Sequence, residues 1–410
     1  MKKTVISAAD ILLPPYGAAD ERWESYAVIA CDQFTSEPEY WEKAEKIADG
    51  KLSTLGLVLP EAYLETPREE EHKATVLENM KTVEEKLELS ENCLIAVERT
   101  LSSGRVRRGI VGKLDLCEYD FSPDSCSVVR ATEETVVSRI PPRVAVRSNA
   151  AVELPHVMVF ANDDKNMLFD PIFEKISENE LVYDFKLMLG GGEVKGYKIE
   201  GELLSRALSA ISEYEESAKD GLVYAMGDGN HSLASAKAYY ERIKNEFPEE
   251  AEEHPARYAL VELVNLYDEA VEFEPIYRIL TGCDKADFLG YVESRMADGC
   301  AVQRVTVVSA EGEEEIKIPA LHALTVGSLQ IIIDDYLRER EDVLCDYIHG
   351  TDSLRALCGD EGAVGFIFEG VSKDELFSYV AENGTLPRKT FSMGTADSKR
   401  YYIEARKIIK

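Results

Sequence analysis

The stretch Leu222-Val223-Tyr224-Ala225-Met226-Gly227-Asp228-Gly229-Asn230-His231-Ser232-Leu233-Ala234-Ser235-Ala236-Lys237 decides how this chain is read. Five apolar residues in a row (222 to 226) suit a strand buried on both faces, and Gly-Asp-Gly-Asn-His ends that run. Beyond it Leu233, Ala236, Tyr240 and Ile243 recur at spacings of three, four and three, the stripe of a helix facing a core, until Pro248. A strand that breaks on glycines and restarts as a helix presents unpaired backbone N–H groups, and the positive end of the helix dipole, to whatever lies above the turn. The blander alternative is an Asp or Asn helix cap beside a surface histidine.

Outward from this turn the periodicity alternates between strand and helix. Tyr26 to Ala30 reads as a short strand, followed by a polar turn and a helix entered at Pro38, where a missing N–H costs nothing. Val76, Met80, Val83 and Leu87 mark an amphipathic helix over 66 to 89. The runs CLIAVERTL, RRGIVGKLDL and HVMVFA between 93 and 161 are β-rich, and PPRVAVRSNA predicts a helix starting at its prolines. FKLMLGGGEVKGYKI predicts a hairpin turning at Gly190 to Gly192, without the spacing of a phosphate loop. After a helix near 202 to 218 and the stretch already quoted, the acidic run 249 to 254 reads as an exposed connection. RYALVELV and FEPIYRIL read as a strand pair, followed by helices near 284 to 297 and 323 to 340, the strand GAVGFIFE and a β-like tail. The pattern predicts an α/β class (α+β, mixed sheets) in two domains, 1–220 carrying an Arg-rich segment and 221–410 opening with the GDGNH turn, since 410 residues exceed one ordinary core.

The net charge of -31 argues against nucleic acid, whose binding rests on Lys and Arg displacing counterions. Nowhere do 18 apolar residues run together, and no secretory leader opens the chain, so the expectation is a cytoplasmic protein with no membrane partner; a homo-oligomer stays open. The eight cysteines form no C-x-x-C pair and read as reduced thiols, most of them in the core. Within 99 to 147, eight arginines and Lys113 outnumber six acids by three, a local cationic surplus that suits an anionic ligand or, equally, scattered ion pairs.

The candidate chemistry follows from these features. Asp228 is a base or magnesium ligand and His231 a phosphate donor or proton shuttle. Glu133, in Arg130-Ala-Thr-Glu-Glu-Thr135, stands beside a hydroxyl and a guanidinium as a base. The segments YAVIACDQFTSEPEYW, RATEETVVSRIPPR, the PH-strand-DD run (155 to 164), GDGNHSLASAK and LPRKTFSMG together resemble the domain of unknown function 1015 family, in order and across nearly the whole chain. That family's turn is similar to the nucleotide-phosphate turn of the ParB, sulfiredoxin and free-serine-kinase superfamily, which implies ParB/sulfiredoxin-like elements around the strand-turn-helix. On the resemblance, Asp228, Gly229 and His231 match the turn and Glu133 and Thr135 a Glu-x-Thr element; Asn230 replaces a His, and Ser232 stands where the family often has Arg.

The expected site therefore has Asp228, His231 and Glu133 as catalytic residues. Gly229, Asn230, Ser232, Arg130, Thr135, Arg139, Arg143 and Lys389 hold a small anionic molecule or nucleotide, ATP or ADP with Mg²⁺ on Asp228. The expected activity is nucleotide-dependent phosphoryl transfer to a small hydroxylated metabolite. The alternatives are a non-catalytic binding or regulatory protein for an anionic metabolite, and a metal-assisted phosphate hydrolase that borrows Asp163 or Asp164 as a second carboxylate.

Overall fold

A computed structural model describes residues 3–219 and 221–410. The fold is mixed α/β and divides into two compact units, the first comprising residues 1–271 and 395–410 and the second 272–394. The boundary expected at 220/221 falls instead between a helix and a strand of the first unit. Strands Tyr224–Asp228 and Tyr258–Asn265 hydrogen-bond into its main sheet, which makes a break there impossible.

That sheet has 11 strands, whose central run is Glu88–Thr100, Val106–Asp115, Tyr258–Asn265, Met158–Ala161 and Tyr224–Asp228. Most pairs are antiparallel, but Tyr258–Asn265 runs parallel to Met158–Ala161, and Tyr224–Asp228 parallel to Val129–Arg130. Alternation along Glu88–Thr100 explains why its sequence is apolar at consecutive positions. Ile95 and Val97 join one core with Trp23, Trp41 and Tyr26, whereas Leu94 and Ala96 join a second core with Leu233, Ala236 and Tyr240. A sheet covered on both faces needs apolar residues on both. The hairpin forms as expected between Glu180–Lys186 and Glu193–Ile199, with Gly190 and Gly192 at φ of +79° and +85°.

The second unit is an antiparallel sheet carrying the helices Lys285–Ser294, Thr325–Leu337, Thr351–Leu357 and Lys373–Asn383, packed through Phe288, Leu329, Ile332, Ile333, Tyr336 and Phe366. RYALVELV and FEPIYRIL are both strands but not partners: Tyr258–Asn265 pairs with Val106–Asp115 in the first unit, and Phe273–Thr281 with Leu344–His349 and Ala363–Ile367 in the second. Sequence adjacency suggested pairing, and the unit boundary at 271/272 overrides it. The acidic run 249 to 254 is not wholly exposed, because Ala251 inside it is buried. The cysteines are all free thiols, but only Cys93, Cys283 and Cys358 are buried, and Cys117 and Cys126 are exposed.

The closing segment is fastened to the first unit by charge. Buried Glu153 accepts the Leu260 N–H at 2.8 Å and Arg406 Nε at 2.7 Å, and also pairs with Arg147. Burial pushes the Glu153 carboxyl up, but Arg406 and Arg147 outweigh it and hold it below its ordinary value of 4.5. A carboxyl depressed in the folded state stabilises above its unfolded pKa and loses that contribution as pH falls through the folded value. Acid melts below about pH 4.5 are therefore expected to show a stability loss that Glu153→Gln flattens, at the cost of lower stability at neutral pH; parallel slopes for both proteins would refute this.

Candidate functional site

Tyr224–Asp228 carries a bulge between Met226 and Asp228 in its pairing with Met158–Ala161. Such an irregularity re-aims the following side chain. Asp228 then accepts its neighbour Gly229 N–H at 2.9 Å and faces Lys399 Nζ at 3.3 Å. Gly229 takes φ +81°, and a Cβ there would lie 3.0 Å from Val157 Cα, so the turn needs glycine on conformational and steric grounds. From it springs the 17-residue helix Asn230–Glu246, whose N-cap contributes no side-chain hydrogen bond. No capping side chain thus competes for the amides of its first turn.

The Arg130 to Val136 segment docks onto this turn at two points. Thr132 Oγ1 donates to Met226 O at 2.8 Å, and Val136 N–H donates to His231 Nε2 at 3.2 Å. With Nε2 accepting, the His231 ring carries its proton on Nδ1. Glu133, half-buried, lies between those anchors, so Glu133, Thr135, Asn230 and His231 belong to one locality. Thr135 Oγ1 and Asn230 Oδ1 are buried there without a hydrogen-bond partner. Each such orphan costs about 1 to 3 kcal/mol unless something outside the protein satisfies it.

Sequence reasoning missed the other wall. His156 Cδ2 lies 3.5 Å from where a Cβ on Gly229 would be, and His156 Nδ1 is 2.8 Å from the Tyr402 hydroxyl. Tyr402 in turn reaches Cys31 Sγ at 3.2 Å. Burial, and then the Asp32 charge, push the Cys31 thiol up to about 12, so it is no nucleophile at neutral pH. At Asp32 burial raises the carboxyl, but His156, the Gln33 amide and Lys399 together hold it below the usual range. Asp32, His156, Asp228 and Lys399 are thus one electrostatic cluster. The motif CDQ and the PH pair were visible, but nothing local marked them, or Lys399, as neighbours of the turn.

Much of the arginine surplus proves to be structural. Arg130 is buried, with Nε on Ser127 O at 2.7 Å and Nη2 3.5 Å from Gly221 O. Arg143 pairs with Glu61 and Arg147 with Glu153, while Arg99 and Arg107 hold the carbonyls of Asp397 and Ser398. Arg139 is exposed before the helix Ile140–Arg147, which packs against Asn230–Glu246. Ser232 is half-buried in the first turn of Asn230–Glu246. Lys389 belongs to the second unit, at φ +57°, with its carbonyl held at 2.8 Å by the buried Arg278. Asp163 is not a second carboxylate for Asp228: it is buried, and its oxygens accept the Met167 and Leu168 amides, both at 2.8 Å. Among the described residues no group of three or more His, Cys, Asp or Glu is placed to hold a metal, and an ammonium already faces Asp228. Nor, among them, is any helix long and apolar enough to cross a membrane.

No curated protein matches the sequence. Several solved structures align with the chain at low scores. A free serine kinase mutant in complex with ADP is 10% identical at a TM-score of 0.38, covering 74% of this chain and 93% of its own. A C-terminally truncated SbnI from Staphylococcus aureus is 9% identical at 0.37, covering 71% and 85%. A conserved hypothetical protein from Pyrococcus furiosus is 11% identical at 0.33, covering 71% and 90%. At such scores these likenesses bear on neither fold nor chemistry. Residues 13–408 match the family described as "Protein of unknown function (DUF1015)", and on that near-complete coverage the chain belongs to this family.

Proposed function

We propose that the turn binds a nucleotide and that the protein transfers a phosphoryl group from it to a small hydroxylated metabolite. The observation that carries this reading is the pair of orphaned polar atoms, Thr135 Oγ1 and Asn230 Oδ1, beside the first turn of Asn230–Glu246. A phosphate satisfies the Thr135 hydroxyl and the helix amides, and a ligand hydroxyl satisfies Asn230 Oδ1. The sequence resemblance to the phosphate turn of the ParB and sulfiredoxin superfamily fits the same arrangement.

In this reading the amides of Asn230 to Ser232 hold phosphate and Lys399 supplies the neutralising cation, oriented by Asp228. His231, fixed by Val136, donates from Nδ1. The substrate hydroxyl gives its proton to Glu133 as its oxygen attacks phosphorus and the bond to the leaving nucleotide breaks. Lys399 takes the place assigned from sequence to Arg130 and Arg143, whose guanidinium groups are committed to Ser127, Gly221 and Glu61. Among the described residues no group of three or more His, Cys, Asp or Glu gathers at Asp228 for magnesium, and no step here depends on it.

The spent arginines also favour a second reading, capture of an anionic metabolite without chemistry. Thermal-shift titration separates the two. ATP or ADP is expected to raise the melting temperature saturably, by the equivalent of about 2.7 kcal/mol at a hundredfold excess over Kd, and Thr135→Val to erase the shift. Stabilisation by small metabolites alone selects the second reading, and indifference to nucleotides rejects the first.

A further inference from the structure

The backbone on either side of His156 is pinned. The Pro155 carbonyl before it accepts from buried Arg400, and the Val157 carbonyl after it accepts the Glu262 N–H at 3.0 Å. The imidazole, 9% exposed, meets the Tyr402 hydroxyl through Nδ1 at 2.8 Å, whereas Nε2 has no hydrogen-bond partner among the described residues. Cδ2, the ring carbon bonded to Nε2, lies 3.5 Å from where a Cβ on Gly229 would stand, so the unpartnered edge of the ring is the one beside the turn.

Tyr402 fixes which nitrogen of His156 carries the proton. Burial pushes the Tyr402 hydroxyl well above its ordinary value of 10, so it keeps its single hydrogen. That hydrogen is donated to Cys31 Sγ at 3.2 Å, and the oxygen accepts the Cys31 N–H at 3.3 Å. The oxygen has only a lone pair left for the imidazole, so His156 donates to it from Nδ1. A neutral ring protonated on Nδ1 carries a lone pair on Nε2. His231 has the same tautomer, but its Nε2 lone pair is used by the Val136 N–H, and that of His156 is not used within the protein. An ionised phosphate has no proton to give, so this acceptor is matched to a different part of a ligand. Asp32, whose carboxyl interacts with His156, takes one side-chain hydrogen bond, from the Gln33 amide at 2.9 Å, and a carboxylate has lone pairs for more. Two neighbouring acceptors suit two neighbouring hydroxyls.

We propose that His156 Nε2 and Asp32 accept the 2′ and 3′ hydroxyls of a ribose, so that the site selects a ribonucleotide whose phosphates lie at the amides beyond Gly229. Tyr402 is the positioning residue that keeps the Nε2 lone pair available. This rests on the nucleotide reading and adds to it the protein groups that read the sugar.

Calorimetric titration of the full chain with ATP and with 2′,3′-dideoxy-ATP tests it. The unaltered protein is expected to bind ATP about tenfold more tightly than the dideoxy compound. His156→Phe, which keeps a ring against Gly229 but offers no lone pair, is expected to lose about fivefold of that preference, whatever happens to the affinity itself. Equal affinity for the two compounds in the unaltered protein, or an undiminished preference in the variant, overturns the proposal and leaves the nucleotide reading standing. A protein that binds neither compound loses both. Should His156→Phe not fold, long-range ¹H–¹⁵N correlation spectra of the unaltered protein decide the matter. They are expected to show His156 protonated on Nδ1, with its Nε2 signal moving when ATP is added, and a proton found on Nε2 defeats the assignment.

Discussion

Asp228→Ala is expected to lower nucleotide turnover by about a thousandfold while the protein stays folded. The carboxylate does two things at once: it accepts Gly229 N–H, fixing the turn, and it faces Lys399, fixing the cation. Removing it leaves the ammonium, only 10% exposed, without that partner, and frees it to collapse onto Asp32, with which it already interacts. Because the pair retains some access to solvent, the stability cost should stay near about 2 kcal/mol, below that of a fully buried pair. Asp228→Asn separates the two roles, keeping an acceptor for Gly229 while losing the charge. If the turn alone mattered, Asn would restore turnover; the expectation is that it does not. Phosphate release by both variants, with far-ultraviolet circular dichroism as the check on folding, measures this, and unaltered turnover in Asp228→Ala removes the residue from the site.

Arg400→Met is expected to have the largest effect on stability. One guanidinium at 5% exposure binds Glu262 Oε2 at 2.7 Å, Glu404 Oε2 at 2.6 Å and the Pro155 carbonyl. Burial works against the cation, but Glu404 and Glu262 outweigh it and raise its pKa. Methionine fills much of the volume yet abandons two carboxylates, and breaking even one buried pair costs about 3 to 5 kcal/mol. Against a total of about 5 to 15 kcal/mol, the variant should be largely unfolded or strongly shifted to lower urea. The triple change Arg400→Met, Glu262→Gln, Glu404→Gln removes the stranded charges and is expected to recover a substantial part of the loss. A single variant that melts with the parent would show that this cluster does not hold the first unit together.

What the sequence revealed and what it hid follow one physical division. Leu233, Ala236, Tyr240 and Ile243 announced the helix after the turn because a helix buries a stripe set by its own geometry, and all four are buried. The hairpin was legible for the same local reason. The site residues split accordingly. The turn itself and the Glu-x-Thr element were recognisable as short motifs, whereas Asp32, His156 and Lys399 come to it from segments with no periodicity of their own. Arginine was the least legible residue. A cation that clamps a carbonyl three hundred residues away looks, in sequence, the same as one waiting for a phosphate, and only the acceptors at Ser127, Asp397 and Ser398 distinguish them. The omitted hairpin Val302–Ser309 with Gly312–Pro319 is different, since its alternation was there to be read.

The first unit is interrupted: it is left at Val271 and rejoined at Thr395. On the ribosome, the inserted segment 272–394 emerges entire and can settle while its host still lacks a closing piece. That piece brings Lys399, Arg400, Tyr402 and Arg406, so the nascent host carries stranded acidic groups until residues 395–410 have been made. A ribosome that stalls anywhere before codon 399 therefore releases a product in which Asp228 has never met its counter-charge.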